Sequence, residues 1–239
     1  VTIQKGTKFT TTVNNNTYGF VVNESQTVQP VNGILKFENL PVYEGSLVTA
    51  KYTVDFNNPE KKYLITSDRG DTTTLKVTVQ NSSSDTTTEV YNLARDISTV
   101  KSTDKVYFLQ EGEDGKFEVY FGDGITGKAL SDNNVVRLRY VVTNKTVANG
   151  ASSFTSSNAI STVTDLSILT VDVASGGAER ETIQSIKLNA PLDYAAQGRA
   201  VTTNDYKSII PKVYPNTKSV QVYGGEDNDV PVYGRVYIS

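Results

Sequence analysis

A short strand that runs into a glycine-rich turn constrains this chain most. Apolar Phe117, Val119 and Phe121 alternate with their neighbours, as in a strand with one buried face. The glycines of the Gly122-Asp123-Gly124 segment accept positive φ, so the chain can reverse there at low steric cost. Residues 117–126 therefore predict a strand, a tight turn and a second strand, and we interpret Gly122, Asp123 and Gly124 as a structural turn.

The composition excludes most catalytic machinery. The chain has 239 residues and contains no His, Cys, Met or Trp, while Tyr outnumbers Phe by 14 to 8. Without His or Cys it can build neither a Ser-His-Asp or Cys-His arrangement nor an ordinary structural zinc site. A carboxylate site for magnesium, calcium or glycoside hydrolysis stays open. Because Thr, Val and Tyr suit half-solvated strands, we expect a β-rich building block that is not an enzyme, without a cofactor or a small-molecule substrate.

Charge and hydropathy argue against two classes of partner. The formal net charge is −3, whereas nucleic-acid binders depend on clustered Lys and Arg. No stretch approaches the run of about 20 apolar residues that spans a bilayer. We therefore expect neither nucleic acid nor a membrane as a partner. The chain starts at Val1 and stops at Ser239 inside a predicted strand, and we interpret it as a fragment of a longer protein.

The first predicted part is a β domain of residues 1–60. Strands alternate with turns there, and Asn14-Asn15-Asn16 predicts a hairpin tip because Asn tolerates the left-handed region. A further strand is predicted over residues 33–37. Asn57-Asn58-Pro59-Glu60 interrupts the pattern and marks the first predicted boundary.

The second predicted part, residues 61–150, is an inserted β-rich domain that carries the FGDG hairpin. A short helix is possible over residues 91–97. Residues 151–175 are predicted to return to the first sheet, with strands over residues 160–163 and 166–173.

Residues 176–239 predict an α+β unit. A helix from Ala178 to Asn189 is expected to stop at Pro191. A second helix is expected to start near Thr203, with the hydroxyl of Thr203 as its cap, and to end by Pro211. Two paired strands follow, over residues 220–223 and 234–238. The predicted fold class is mainly β with this C-terminal α+β unit, in several domains with antiparallel sheets.

Four motifs, in chain order, carry a resemblance to a known family. They are I-x-x-GT within residues 1–7, FGDG-x-x-G within 119–128, a strand with an Asn-Gly exit over 139–150, and AP…Q-x-RAVT-x-x-DY over 190–206. Together they resemble the phage baseplate J-like proteins. Residues 223–226 and 233–237 are further similar to wedge proteins of T4-type contractile-tail phages.

This resemblance implies a structural component of a contractile phage tail baseplate wedge. Such a component links subunits into a ring around the tail tube and rearranges on contraction. The implied location is the tail baseplate of the virion, after assembly in the host cytoplasm. The implied partners are a second copy of the chain, as a homodimer, and other baseplate wedge proteins. The family's N-terminal part is expected to lie outside this sequence.

The candidate interface residues all lie in the α+β unit. Arg199, Asp205 and Tyr206 belong either to an assembly surface or to a helix entry in which Arg199 pairs locally. Tyr223 and Tyr237 lie on the last two predicted strands, whose unpaired edges offer a template for dimerisation.

Other readings of these motifs stay open beside the structural one. The FGDG turn is either a contact loop or a hairpin reversal. Acidic residues at 111–114 and 226–229 lack the EF-hand spacing and are interpreted as solvated loops. Gly127-Lys128 is not a phosphate loop, because Ala129 follows and no helix is predicted. The alternative functions are a cell-surface adhesin or carbohydrate-binding module, and a carboxylate hydrolase of polysaccharide.

Overall fold

The chain folds into two compact units in a computed structural model. The structure describes residues 1–58, 61–112, 115–156, 160, 163, 166–214 and 217–239. Unit 1 comprises residues 1–144 and 151–172, and unit 2 comprises residues 145–150 and 173–239. Among the described residues, no helix is long and apolar enough to cross a membrane.

Unit 1 is built from strands and one short 3₁₀ turn at Ile97–Thr99. In chain order, the strands are β1 (Thr2–Ile3), β2 (Lys8–Val13), β3 (Asn16–Val22), β4 (Gln26–Thr27), β5 (Val42–Glu44), β6 (Ser46–Thr53), β7 (Tyr63–Leu64), β8 (Gly70–Gln80), β9 (Thr88–Leu93), β10 (Val106–Glu111), β11 (Phe117–Phe121) and β12 (Val135–Val142). They form a seven-stranded sheet ordered β6-β12-β8-β9-β10-β11-β7, a three-stranded sheet ordered β2-β3-β5, and the pair β1-β4. Neighbouring strands pair antiparallel, except that β9 and β10 pair in parallel.

The seven-stranded sheet encloses the main apolar core. Val77, Val136 and Leu138 alternate with outward residues on β8 and β12, and each is 0% exposed. The other buried members of this core are Val54, Ile65, Leu75, Val79, Tyr91, Tyr107, Val119 and Tyr140. Tyr52 on the edge strand β6 donates a 2.7 Å hydrogen bond to the carbonyl of Leu64 on the opposite edge strand β7. Because the two edges meet, the sheet curls around its core as a partly open barrel.

A threonine supplies the missing hydrogen bonds where β8 bulges against β12. The register between β8 and β12 shifts between Arg139 and Val141. The hydroxyl of Thr74, which is 2% exposed, accepts a bond from the Val141 N–H (2.9 Å) and donates to the Asp71 carbonyl (2.7 Å). The bulge therefore leaves no unpaired N–H at Val141, which is itself fully buried.

The three-stranded sheet begins with the hairpin that the Asn run predicted. Asn14 and Asn15 adopt φ of 48° and 64° between the paired strands β2 and β3. Thr155 pairs with Thr10 across the outer edge of β2, and the ring of Phe154 lies edge-on against Phe20 at 4.9 Å. Residues 154–155 thus lie against this first sheet.

Unit 2 contains two helices and a small hairpin. Its elements are α1 (Ile183–Ala196), α2 (Thr203–Val213), β13 (Val222–Gly224), a 3₁₀ turn at Gly225–Asp227, and β14 (Val236–Ile238). β13 and β14 pair antiparallel, and α1 packs on α2, which also contacts β13.

Both helices of unit 2 depart from their predicted bounds. α1 starts at Ile183 and continues through Pro191, and α2 likewise includes Pro211. Proline removes one backbone donor and disfavours a helix interior. The turn after Pro191 is nevertheless held because Asp193 contacts α2 through Ser208 and Lys212. Tertiary contacts therefore override the local stop signal.

Three predicted elements of unit 1 are wrong. Residues 33–37 form no strand; the pairing there is the bridge between Val31 and Ile34. Residues 166–173 are not a strand either, and most of residues 157–165, including part of the strand predicted over 160–163, lie outside the described residues. The possible helix over residues 91–97 is instead the end of β9 and the start of the 3₁₀ turn, because Tyr91 pairs with Val77 in the sheet.

The predicted fold class is confirmed: the chain is mainly β, with antiparallel sheets and a C-terminal unit of helices and strands. The division into residues 1–60 with 151–175, 61–150 and 176–239 stays a prediction. β6 lies before the predicted boundary at residue 60 and pairs along its whole length with β12. Pro59 and Glu60 themselves lie outside the described residues.

Candidate functional site

The FGDG loop is a rigid turn held by its own backbone and by one carboxylate. Asp123 Oδ1 accepts hydrogen bonds from the N–H groups of Ile125 (2.9 Å) and Thr126 (2.8 Å). These bonds lower the pKa of Asp123 below its ordinary value. The Gly124 N–H donates to the Gly127 carbonyl at 3.0 Å, and both glycines have φ of 90°.

Close packing explains why glycine stands at both ends of this loop. A Cβ at Gly122 would fall on the backbone of Gly127. The Gly127 N–H donates to the Lys101 carbonyl at 3.2 Å, and the Lys128 N–H donates to the Asp104 carbonyl at 2.8 Å. The loop is therefore fixed to the segment that precedes β10.

Two further contacts join the loop to the core. Phe121, the last residue of β11, packs edge-on against Tyr63 and Tyr91, each at 5.5 Å. After the loop, Lys128 Nζ lies 2.6 Å from Glu89 Oε2 on β9. The loop presents the side chain of Ile125, which is 78% exposed.

The FGDG segment is not the reversal of a β-hairpin. Within the described residues 115–156, the next strand after β11 is β12, and the turn is followed by a single parallel bridge from Gly122 to Ala129. The hairpin of this region is formed by β10 and β11, and its turn lies between residues 111 and 117, before the FGDG motif. The prediction of strand, turn and strand is wrong at its second strand, because Gly127 and Lys128 bond to residues 101–104 instead of to β11.

The RAVT-x-x-DY motif builds the start of α2. Thr202, not Thr203, is the N-cap, and its hydroxyl accepts from the Asp205 N–H at 3.3 Å. The Asp205 carboxylate bonds in return to the N–H groups of Val201 (3.0 Å) and Thr202 (2.7 Å), completing a capping box. These backbone bonds lower the pKa of Asp205, and the charge of Arg199 contributes less.

The structure brings the candidate interface residues together in pairs. Arg199 is exposed and lies near Asp205, and Tyr206 is half-buried on the first turn of α2. Tyr223 on β13 and Tyr237 on β14 are directly opposite each other, and their rings stack with centroids 5.2 Å apart. Contact of these five residues with another chain stays a prediction.

Sequence reasoning missed the bond network that joins the two helices. Asp193 on α1 accepts a 2.6 Å bond from the Ser208 hydroxyl and forms an ion pair with Lys212, both on α2. Both contacts lower the pKa of Asp193. These residues are separated by many positions in the sequence, so no local spacing signals the contact.

Unit 2 has a small apolar interior and a large apolar exterior. Among its described residues, the buried apolar side chains are Ala148, Ala196 and Val222. The large apolar side chains that remain exposed are Val147, Val173, Ile183, Ile186, Leu188, Tyr194, Val201, Val213, Tyr214, Val230, Tyr233, Val236 and Ile238. Soluble proteins rarely leave so much apolar surface uncovered within one small unit.

Among the described residues, the carboxylates form no cluster that could hold a metal ion. No group of three or more Asp or Glu side chains is placed to hold a metal ion among the described residues, although Glu113 and Asp114 lie outside them. The carboxyl groups with a shifted pKa all shift down, since each accepts hydrogen bonds or pairs with a lysine.

Comparisons with known proteins give the same family in two places along the chain. Residues 49–152 match the model described as "Bacteriophage baseplate wedge protein gp6, third domain". Residues 202–239 match "Baseplate structural protein gp6, C-terminal domain I". The chain is similar to the gp6 baseplate wedge proteins. One relative is the baseplate wedge protein gp6 of Enterobacteria phage T4, which is 24% identical over 266 residues.

These matches agree with the predicted structural role in a baseplate wedge and with the predicted location in the tail baseplate of the virion. The alignment covers 99% of this chain and 38% of the T4 protein. The narrower assignment to the J-like family stays a prediction. So do the homodimer, the ring and the rearrangement on contraction.

Proposed function

We propose that this chain is a mechanical connector of the baseplate wedge that pairs with a second copy of itself through residues 176–239. The pair then contacts other wedge proteins, links them into a ring around the tail tube, and rearranges when the tail contracts. The observation that carries this proposal is the uncovered apolar surface of unit 2.

One side of α1 supplies the centre of the proposed contact. Ile183, Ile186 and Tyr194 follow the helical repeat and share a side of the helix. They are 69%, 46% and 81% exposed. Asp193, which binds α2, lies about 80–100° around the helix from Ile183 and Tyr194, on the flank that carries Ile186. Ile183 and Tyr194 therefore lie away from the side on which Asp193 binds α2.

The small interior of unit 2 supplies the energetic reason for a partner. A chain segment of this size must bury apolar area to offset the entropy lost on folding, and its three buried apolar side chains offer little. Burying the stripe against a second copy would add the missing area, and a two-fold contact closes on itself without further growth.

The hairpin of unit 2 offers a second contact for the same pair. β13 and β14 form a two-stranded sheet, and Val236 and Ile238 on β14 are 40% and 52% exposed. Two-stranded sheets are marginal in water, and exposed edges pair readily with another strand. The stacked Tyr223 and Tyr237 then lie beside the proposed interface.

Sedimentation velocity over a range of micromolar concentrations tests the pairing. We expect a dimer for the natural chain and a monomer for the double variant Ile183→Asp, Tyr194→Asp, because two charges in the interface would be desolvated without partners. Gln184→Asp is the matched control, since it adds charge at a neighbouring exposed position. A natural chain that stays monomeric, or a control that dissociates as readily, would contradict the proposed surface.

Mixing with other wedge proteins tests the connector role. We expect mixed complexes by mass analysis with other baseplate wedge proteins. Rearrangement requires contacts whose alternative arrangements differ by only a few kcal/mol, so these complexes should be exchangeable with added free subunit. We also propose that the chain has no catalytic activity; turnover of a cell-wall or capsular polysaccharide, lost on changing one Asp or Glu, would overturn that.

A further inference from the structure

The sequence contains two Asn-Gly pairs, and the structure gives them different hydrogen bonds. They are Asn32-Gly33 in unit 1 and Asn149-Gly150 in unit 2. Both asparagines are exposed, and both glycines have positive φ, of 79° and 87°. Exposure and the φ of the glycine therefore do not distinguish them. The asparagines themselves differ, since Asn32 has a φ of 51° and Asn149 has no positive φ, and their hydrogen bonds differ as well.

Asn-Gly pairs undergo a spontaneous reaction that needs only water. The backbone nitrogen of the glycine loses its proton and attacks Cγ of the asparagine side chain. A bond forms between this nitrogen and Cγ, and the bond from Cγ to the side-chain nitrogen breaks. Ammonia leaves, and a five-membered imide remains in the chain. Water then opens the imide at either carbonyl and gives aspartate or isoaspartate. Glycine favours the attack because no side chain shields its nitrogen.

Asn32 lies in a turn whose described hydrogen bonds engage neither of the two reacting groups, the Asn32 side chain and the Gly33 N–H. The Val31 N–H donates to the Ile34 carbonyl at 2.9 Å, and the Ile34 N–H returns the bond at 3.0 Å. Among the described residues, no hydrogen bond engages the Gly33 N–H or the Asn32 side chain, and the space beside Gly33 is open. The flanking residues 28–30 and 35–41 form no strand, so opening the turn breaks little beyond the Val31–Ile34 pair.

Asn149 is held at every group that the reaction uses. Its Nδ2 donates to the Gly177 carbonyl at 2.8 Å, and its Oδ1 accepts from the Gly177 N–H at 3.1 Å. The attacking nitrogen of Gly150 donates to the Ala174 carbonyl at 2.7 Å. The preceding Ala148 is 2% exposed, so this clasp between residues 145–150 and 174–177 is anchored.

We propose that Asn32 is a site of spontaneous deamidation in the folded protein and that the clasp protects Asn149. Conversion places a negative charge between Val31 and Ile34, which are 71% and 69% exposed. Isoaspartate also lengthens the main chain, and the two-residue turn cannot keep its pair of hydrogen bonds with the longer backbone. The product therefore carries an altered surface at this tip.

The test follows both sites in the intact chain during incubation at mildly alkaline pH in water enriched with heavy oxygen. Peptide mapping by mass spectrometry counts label incorporated at each asparagine. In the folded chain we expect Asn149 to convert at least about tenfold more slowly than Asn32, because its attack requires the clasp to open. In denaturant the two sites should convert at similar rates, which controls for their sequence context.

Two comparisons sharpen this test. Asn14 and Asn15 occupy a turn with similar φ but no following glycine, and we expect little conversion there. Gly177→Ala forces a Cβ onto the Lys145 carbonyl, opens the clasp and should speed conversion of Asn149 while leaving Asn32 unchanged. Equal rates at Asn32 and Asn149 in the folded natural chain, or an Asn32 that stays intact there while it converts in denaturant, would overturn the proposal whatever the variant does.

Discussion

At the scale of single residues, unit 1 depends on groups that satisfy backbone atoms at irregular points of its sheet. Thr74 bonds to the backbone at the bulge of β8, and Asp123 bonds to the backbone of the FGDG loop. Neither role is visible in the alternation of apolar side chains. Thr74 is polar where an apolar side chain would leave the buried Val141 N–H unpaired, and the cost of an unpaired buried donor exceeds the gain from one made bond. Asp123 instead bonds to N–H groups of an exposed loop.

The bulge predicts a specific cost for one hydroxyl. Thr74→Val keeps the shape of the side chain but leaves the buried Val141 N–H and the Asp71 carbonyl without this partner. We expect a loss of about 1–3 kcal/mol in the free energy of unfolding by urea. Thr78→Val on the same strand is the control, because no side-chain hydrogen bond of Thr78 is found among the described residues. An equal loss in both variants would refute the role of the bulge.

The close packing of the FGDG loop predicts that its first glycine is irreplaceable. Gly122→Ala drives a Cβ into the backbone of Gly127, which the Lys101 carbonyl holds in place. We expect a loss of about 1–3 kcal/mol in stability. Gly19→Ala is matched to it, since Gly19 has no neighbour within 4 Å of an added Cβ and no positive φ. Equal melting temperatures for the two variants would show that the loop adapts freely.

At the scale of elements, the helices of unit 2 are held by carboxylates. Asp205 caps α2, and Asp193 joins α1 to α2 through Ser208 and Lys212. Both carboxyl groups have a pKa lowered from the ordinary 3.8. Each ionised form is favoured by the fold, so its contribution to stability is present above the ordinary pKa.

This contribution should disappear in acid. As the pH falls below about 4 and through the lowered pKa values, both groups take up protons and the fold loses their support. We expect the helical circular-dichroism signal of unit 2 to become less heat-stable over that range. In Asp205→Asn, Asp193→Asn the signal should already be weakened at neutral pH and should depend less on acid. An unchanged acid profile in the double variant would refute this assignment.

At the scale of the whole molecule, the two units differ in how much they bury. Unit 1 contains the barrel-like core, whereas the described part of unit 2 has three buried apolar side chains and an exposed apolar exterior. A unit whose folding is completed by a partner gains stability by mass action, and its melting temperature rises with concentration.

Thermal unfolding should therefore occur in two transitions with different concentration dependence. We expect the helical signal of unit 2 to melt first and to shift upward as concentration increases. The strand signal of unit 1 should melt later and independently of concentration. Thr74→Val should lower the second transition alone. A single transition that is independent of concentration would contradict both the separate units and the proposed pairing.

The alternation of apolar residues determined much of this fold by itself. β2, β3, β6, β8 and β10 to β12 follow from local pattern, because a half-buried strand needs a period of two wherever it lies. β9 does not, since part of it was predicted as a possible helix. The turn at Asn14-Asn15 and the start of α2 were likewise readable, since each depends on a few neighbouring residues, although the cap of α2 is Thr202 and not the predicted Thr203. The family resemblance rested on such short motifs; its wedge-protein part agrees with the comparisons, and its J-like part stays a prediction.

Only the tertiary structure decided what those elements contact. The segment after FGDG resembled a second strand, yet it bonds to residues 101–104, and α1 continues through Pro191 because Asp193 reaches a distant helix. The two Asn-Gly pairs are identical as sequence, but one is free and the other is clasped by residues 174–177. In each case the deciding partner lies far along the chain, and local propensities carry no information about it.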